Sequence, residues 1–372
     1  MKFVDEFRDP ALAKQLLTCI AQRMASPVLQ ARAPIRIMEV CGGHTHSIFR
    51  YGLEALLPQT LELIHGPGCP VCVLPREHVD DCLAIAAQPD VIFTTFGDAM
   101  RVPGSRQTLQ QARAGGADIR MVYSPLDALQ IARENPQRRV VFFGLGFETT
   151  MPATALTVQQ AVGEQVDNFF LLCHHITIVP TLKALLDDED VCVDAFIGPG
   201  HVSMVIGLEP YGFIAEQYRK PFIISGFEPL DILQSILMLL DQLAEGRAEV
   251  GNQYSRVVHE QGNIQAQQAV AEVFELRERS AWRGLGEIDQ SGVRLRTRYA
   301  ALDAEREFAL RSTRVDDPAE CRCGEVLKGQ LQPQQCPLFG SGCTPAQPMG
   351  ALMVSSEGAC AACFQYQRND SQ

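Results

Sequence analysis

Ile35-Arg-Ile-Met-Glu-Val-Cys-Gly-Gly-His-Thr-His46 sets the pattern for the chain: a short apolar run that stops in a glycine-bearing loop, with chemistry-bearing side chains where the run ends. The same phrase recurs along the first two thirds of the sequence. Leu61-Glu-Leu-Ile64 leads into His65-Gly-Pro-Gly, Val91-Ile-Phe-Thr-Thr-Phe96 into Gly97-Asp98, and Val140-Val-Phe-Phe143 into Gly144-Leu-Gly-Phe-Glu148. It resumes with Phe169-Phe-Leu-Leu-Cys173 before His174-His175, Ala195-Phe-Ile197 before Gly198-Pro-Gly-His201, and Pro221-Phe-Ile-Ile224 before Ser225-Gly-Phe-Glu228. Near-continuous apolar strands alternating with helical stretches predict α/β architecture with parallel sheets covered on both faces. Ligand sites in such sheets collect at the carboxyl ends of strands, where all of these loops lie.

Echoes of Gly66-Pro-Gly in Gly198-Pro-Gly, and of Gly146-Phe-Glu148 in Gly226-Phe-Glu228, point to two related parallel-sheet α/β domains facing each other. Met151-Pro152 opens a helical stretch and suggests a boundary, giving a first domain over 1–150 and a second over 151–270. The clearest helix follows Glu228-Pro229, with Leu230, Leu233, Ile236, Leu237, Leu240 and Leu243 on one face and Gly246 as its stop. A C-terminal cysteine-rich domain, 271–372, completes the expected organisation. Its Gly- and Pro-spaced thiols show little periodicity, as in a fold of loops whose inorganic centre replaces a hydrophobic core.

Length and composition narrow the function. The 372 residues suffice for two or three domains, each with a core. A net charge of -12 opposes binding to a phosphate backbone, so nucleic acid is not an expected partner. No run of about 18 uninterrupted apolar residues occurs, which makes a membrane span unexpected, and the promptly acidic start, Met1-Lys-Phe-Val-Asp-Glu6, does not resemble a signal peptide. A cytoplasmic protein is expected. Thirteen cysteines in a reducing compartment then read as ligands, nucleophiles and core fillers rather than as a disulfide framework.

Those thiols form three groups. Six fall near the C-terminus: Cys321, Cys323, Cys336, Cys343, Cys360 and Cys363. Cys323-x12-Cys336-x6-Cys343-x16-Cys360 suits an iron–sulfur cluster, whose thiolates come one per iron from irregular loops. The pairs Cys321-x-Cys323 and Cys360-x2-Cys363 suit structural zinc equally well. Cys69-Pro-Val-Cys72 has the spacing of redox-active dithiols, and also of two structural thiols beside a turn. Cys41, His44 and His46 form a donor set suited to iron, copper or zinc; alternatively, His44 serves as base for a nucleophilic Cys41. The bland reading of that stretch is a glycine turn before a helix, and its two glycines would let a ligand or partner approach the backbone. Glu148, His174 and His201 also close strands and form a second tier with His46. Cys19, Cys82, Cys173 and Cys192 are expected to be core thiols. Gly144-Leu-Gly146 is too short for a dinucleotide fingerprint, and no Walker loop is present.

The composite motifs resemble the HypD family, the iron–sulfur maturation factors of [NiFe]-hydrogenases. The resemblance runs end to end: Cys41-Gly-Gly-His-Thr-His46, Gly66-Pro-Gly-Cys-Pro-Val-Cys72, Thr95-Phe-Gly-Asp-Ala-Met-Arg-Val-Pro103, Gly144-Leu-Gly-Phe-Glu-Thr-Thr150, Gly198-Pro-Gly-His-Val-Ser203 and Ser355-Ser-Glu-Gly-Ala-Cys360. It implies a scaffold for assembling the Fe(CN)2CO group with a small HypC-type chaperone and a HypE-type cyanide donor. It further implies a [4Fe-4S] cluster on Cys323, Cys336, Cys343 and Cys360, a transient iron carrying cyanide and CO at Cys41, and a redox pair in Cys69 and Cys72. The competing class is an iron–sulfur thiol–disulfide oxidoreductase in which Cys41 only assists.

Overall fold

The computed structural model describes residues 5–310 and 313–367. Two parallel sheets carry the architecture. The first runs β2-β1-β7-β8-β9, from β1 (Ile35–Glu39), β2 (Leu61–His65), β7 (Ala195–Pro199), β8 (Phe222–Ser225) and β9 (Val250–Asn252). The second runs β4-β3-β5-β6, from β3 (Val91–Thr95), β4 (Ile119–Met121), β5 (Arg139–Gly146) and β6 (Phe169–His175). Every pairing within both sheets is parallel. The α/β class and the paired sheets thus agree with the sequence.

Strand alternation divides the side chains between faces with period two. In β5, Val140 and Phe142 enter the core under the helices Pro125–Glu134 and Met151–Gly163, while Val141 and Phe143 enter a larger central core. In β8, Ile223 faces the helices Pro10–Met24 and Pro229–Glu245, whereas Phe222 and Ile224 face that same central core. The two sheets therefore share one interior, with Met38 and Ile64 contributed by the first and Phe93 and Leu172 by the second. The long helix Pro229–Glu245 has proline in its first turn, a capping box between Glu228 and Asp231, and Gly246 at φ 67° as its left-handed terminator.

The division of the chain differs from expectation. The second sheet is built wholly from residues 91–175, and the first takes strands from both sides of that insertion. A cut near residue 150 falls between β5 and β6, which are hydrogen-bonded neighbours. The cause is that the chain leaves the first sheet after β2 and returns to it at β7, so sequence order does not follow sheet membership. Of the two echoes, Gly-Pro-Gly lies twice in the first sheet, after β2 and at β7, and only Gly-Phe-Glu occurs once in each.

The C-terminal region departs from expectation in a second way. Four short strands, β10 (Phe274–Leu276), β11 (Arg279–Trp282), β12 (Gly286–Asp289) and β13 (Val293–Leu295), pair antiparallel as β10-β13 and β11-β12. Phe274, Val293 and Leu295 join the core beside β5 and β6. Beyond them Val326, Leu327, Leu352, Met353 and Val354 enter the central core. The thiol-rich tail is thus held by apolar contacts with the body, supplied from helical segments of one turn and from loops, too short to carry a period. Of the four supposed core thiols, Cys82 and Cys173 are buried, but Cys19 and Cys192 are exposed. Cys19 sits on the outward side of helix Pro10–Met24, whose buried residues are Ile20 and Met24. Among the described residues no helix is long and apolar enough to cross a membrane.

Candidate functional site

Each sheet reverses its strand order once. In the first, β1 leads outward to β2 and the chain later continues from β7 in the opposite direction, so the reversal lies between β1 and β7. In the second it lies between β3 and β5. Loops diverge at such points and leave a crevice at the strand ends. Here the two crevices open into one cleft of about 420 Å³. The first sheet contributes Cys41, Cys69 and His201, the second contributes Asp98 and Thr150, and the tail contributes Glu357.

Cys41 is the residue before the helix Gly42–Arg50 and is 7% exposed. Its placement rests on Glu39, a fully buried carboxylate at the end of β1. Glu39 Oε2 accepts the Cys41 N–H at 2.9 Å, and Oε1 accepts the Thr45 hydroxyl and, at 2.8 Å, His65 Nδ1. Glu54 meets the other ring nitrogen of His65 at 3.2 Å. Burial lowers the His65 pKa, but hydrogen bonds to the two glutamates outweigh it and raise the group to about 10. A charged imidazolium between two carboxylates therefore braces the turn that carries Cys41.

Burial pushes the Cys41 thiol well above its usual range, Glu357 and Glu39 add to this, and the backbone N–H groups of Gly43 and His44 pull it down. A thiol so placed is a poor free nucleophile. A metal cation, which replaces the proton directly, would convert it into a ligand. His44 is buried, and its Nε2 donates to the carbonyls of Ser225 at 3.2 Å and Gly226 at 3.0 Å. This leaves Nδ1 buried without a hydrogen-bond partner, so the ring is not bonded to Cys41 as a general base would be. Burial holds its pKa below the usual value and keeps it neutral. Phe227 lies between His44, at a ring distance of 4.7 Å, and the exposed His201, at 3.9 Å. The three rings form a stack reaching from the interior to the cleft.

Cys69 and Cys72 form a disulfide with Cα atoms 5.2 Å apart, in the turn after β2. Gly68 allows this turn to lie against Cys41, for a Cβ there would collide with the Cys41 backbone. Gly42 N–H donates to Gly68 O at 2.9 Å and ties the two thiol loops together. Gly42 and Gly43 are not left bare for a partner, as the sequence suggested. A Cβ on Gly42 would lie 2.5 Å from Glu357 Cβ, and one on Gly43 would lie 2.8 Å from the Phe227 ring. The close approach is made by the chain itself.

The remaining candidates separate. His46 faces the tail, with Nδ1 3.4 Å from Ser356 O and Nε2 3.4 Å from the Tyr366 hydroxyl. His174 lines another cavity of about 330 Å³ with His78, their rings 4.1 Å apart; burial and that neighbour hold it well below its usual pKa. Glu148 lines a groove on the other side of the Phe147–Thr150 turn. Glu39, His65, Asp98, Phe227 and Glu357 were not singled out in the sequence. The available signal was Glu39, a carboxylate between the apolar Met38 and Val40 at the end of β1.

In the tail, Cys321 Sγ and Cys323 Sγ are 3.2 Å apart, and Cys323 also bonds to Cys360. Cys343 Sγ accepts the Met349 N–H at 3.3 Å. Gly350 faces this group: a Cβ would lie 2.5 Å from Cys321 Sγ and closer still to Cys323 Sγ. Among the described residues no three donors adopt metal-binding geometry. Free thiols, of which Cys323, Cys343 and Cys360 are buried and Cys321 and Cys336 partly so, beside a glycine that a side chain would fill nevertheless suit a bulky thiolate-bound centre. Cys363 points elsewhere, packing with Phe49 and Ala362.

Fold and cleft together define an α/β protein of thiol chemistry, with a buried cysteine and a disulfide at adjoining strand ends. A family model described as "HypD: Hydrogenase formation hypA family" matches residues 11–367, and the chain belongs to the HypD family of hydrogenase maturation factors. It is 60% identical over 370 residues to the hydrogenase maturation factor HypD of Rhodobacter capsulatus, covering 98% of both chains. It is 56% identical over 372 residues to that of Escherichia coli (strain K12), covering 100% of both, and 50% identical over 375 residues to HypD2 of Bradyrhizobium diazoefficiens, covering 99% of this chain and 97% of that one.

Proposed function

We propose that the cleft holds iron through Cys41 while cyanide and CO are attached to it, so that the chain is a scaffold for the Fe(CN)2CO moiety of [NiFe]-hydrogenase. The observation that carries this reading is that Cys41, the Cys69 end of the Cys69–Cys72 disulfide and His201 share one cleft at the switch points of both sheets. Iron that carries cyanide and CO is soft, and a thiolate is a matching anchor. On this reading iron is cargo: it arrives with a HypC-type chaperone and receives cyanide from a HypE-type donor.

Cys323, Cys336, Cys343 and Cys360 would hold a [4Fe-4S] cluster, which supplies single electrons when bound. The disulfide takes up two electrons and two protons to give the Cys69 and Cys72 thiols, and returns them on reoxidation. Glu39 and His65 fix the Cys41 turn, and the His44–Phe227–His201 stack forms a wall that keeps water from the anchor. The disulfide also favours the second reading, a thiol–disulfide oxidoreductase.

An anoxic infrared spectrum of the chain purified with its chaperone tests the proposal. Bands of metal-bound cyanide and CO that vanish in Cys41→Ala are expected. Complete absence of such bands from the unaltered complex, with a working two-electron thiol couple, would leave the oxidoreductase reading.

A further inference from the structure

Glu148 has no part in the cleft, although the two residues that follow it line the cleft wall. On the reverse side of that wall lies a groove of about 500 Å³, a size that encloses small organic ligands. Met151, Val179, Val205, Ile206, Val270 and Phe274 make its surface mainly apolar. Glu148 belongs to the same lining and is only 7% exposed. Its Oε1 accepts the Ile178 N–H at 3.0 Å, while Oε2 is buried with no hydrogen-bond partner. Burial raises the pKa of the group to about 7.

An oxygen left in this state costs the desolvation of the group without return, and an ionised one costs more. Among the described residues no cation is paired with Glu148. The charged groups nearby are engaged elsewhere: Glu275 with Arg294 at 2.9 Å, and Arg296 Nε with the carbonyl of Ala271 at 2.8 Å. The groove thus offers a mainly apolar lining in which Glu148 has no cationic partner.

We propose that the groove is a binding site for a small apolar amine, with the hydrocarbon part against Val205 and Phe274 and the ammonium donating to Glu148 Oε2. An alcohol would satisfy the hydrogen bond but not the charge. A carboxylate of equal length would meet repulsion. Because Glu148 directly precedes Thr149 and Thr150, an occupied groove also steadies one wall of the Cys41 cleft.

The test is ligand-observed NMR titration of the full chain with hexylamine, hexanol and hexanoate, probes of one length that differ in the polar head. Charge-assisted hydrogen bonds exceed neutral ones enough that hexylamine should bind about tenfold more tightly than hexanol, with hexanoate weakest. Glu148→Gln, which keeps shape and removes charge, should abolish the amine preference while hexanol binding changes by less than about twofold. Val205→Trp, which fills the groove, should remove all three. Equal binding of amine and carboxylate, or an amine preference that survives Glu148→Gln, overturns the proposal. These two arms decide it even if Val205→Trp does not fold, and neither depends on the chemistry at Cys41.

Discussion

The loops at the strand ends and the tail both carry cysteines, but they hold them by opposite means. Cys41 and Cys69 are extensions of β1 and β2, and their positions follow from a hydrogen-bonded ladder, a buried Glu39 and the tight contact of Gly68 with Cys41. Cys323, Cys336, Cys343 and Cys360 sit in loops and short helices, anchored by apolar residues that reach into someone else's core. A frame places the first group whatever it binds. The second group depends on the core it leans against and, on the proposed reading, on the cluster it would hold, so damage should spread differently through the two.

The largest effect expected of this contrast concerns the cluster proposed for the tail. Replacing any one of Cys323, Cys336, Cys343 or Cys360 by Ala should bleach the protein and reduce its iron and sulfide to near zero, with the parallel sheets intact by circular dichroism. Cys321→Ala and Cys363→Ala should retain the colour. The proximity of Cys321 to Cys323 makes the first of these the sharper comparison, and full iron content in all four ligand variants would remove the distinction between the regions.

Next comes the apolar anchor. Leu352 is 2% exposed in the central core, and Leu352→Ala should destabilise the fold by about 2–5 kcal/mol in denaturant titration. Hydrogen exchange should rise first across 350–367, whereas β1 and β2 stay protected. If the tail were held by its inorganic centre alone, the substitution would change stability by only a few tenths of a kcal/mol.

A smaller effect belongs to Gly42. A methyl group there must displace Glu357, and overpacking of this kind costs about 1–3 kcal/mol. Gly42→Ala should therefore loosen the 355–358 loop and expose Cys72 to alkylation after reduction. Gly52→Ala makes the control, with open space around it but an αL backbone at φ 60°: it should cost about 1 kcal/mol and leave Cys72 covered.

A pH-dependent effect belongs to the frame. The pKa of His65 is raised from its ordinary value to about 10 in the folded chain. Its contribution is fully present below the unfolded value and disappears as pH rises through about 10. Stability should thus fall between neutral pH and pH 10, and His65→Gln should flatten that slope. An unchanged slope in the variant would mean that the imidazolium does not brace the Cys41 turn.

Seven strands were legible because each is an apolar run, closed by glycine in all but β6, and such runs follow from parallel packing on both faces. β4 and β9, three residues each, were too short to stand out, and β9 lies where the sequence turns polar. Domain limits failed for a different reason: periodicity reports which face a residue occupies, not which sheet its strand joins. At the site, thiols and imidazoles at strand ends drew attention to the cleft, and His44, His174 and His46 were then drawn apart by packing that no spacing encodes. Glu39 and His65 were overlooked because a carboxylate inside a strand looks like an interruption of the pattern until its partners are seen.

The segment from Ser355 to Gly358 touches both halves of the cleft. Ser355 donates to Asp98 Oδ2 at 2.9 Å, Glu357 lies over Gly42, and a Cβ on Gly358 would lie 2.9 Å from Cys72 Sγ. On the ribosome these residues emerge some 250 positions after Asp98, when both sheets have already been made. The cleft therefore acquires its final wall last of all, and a nascent or truncated chain presents Cys41 and Cys72 uncovered. The cleft thus closes only on molecules whose synthesis has reached Gly358.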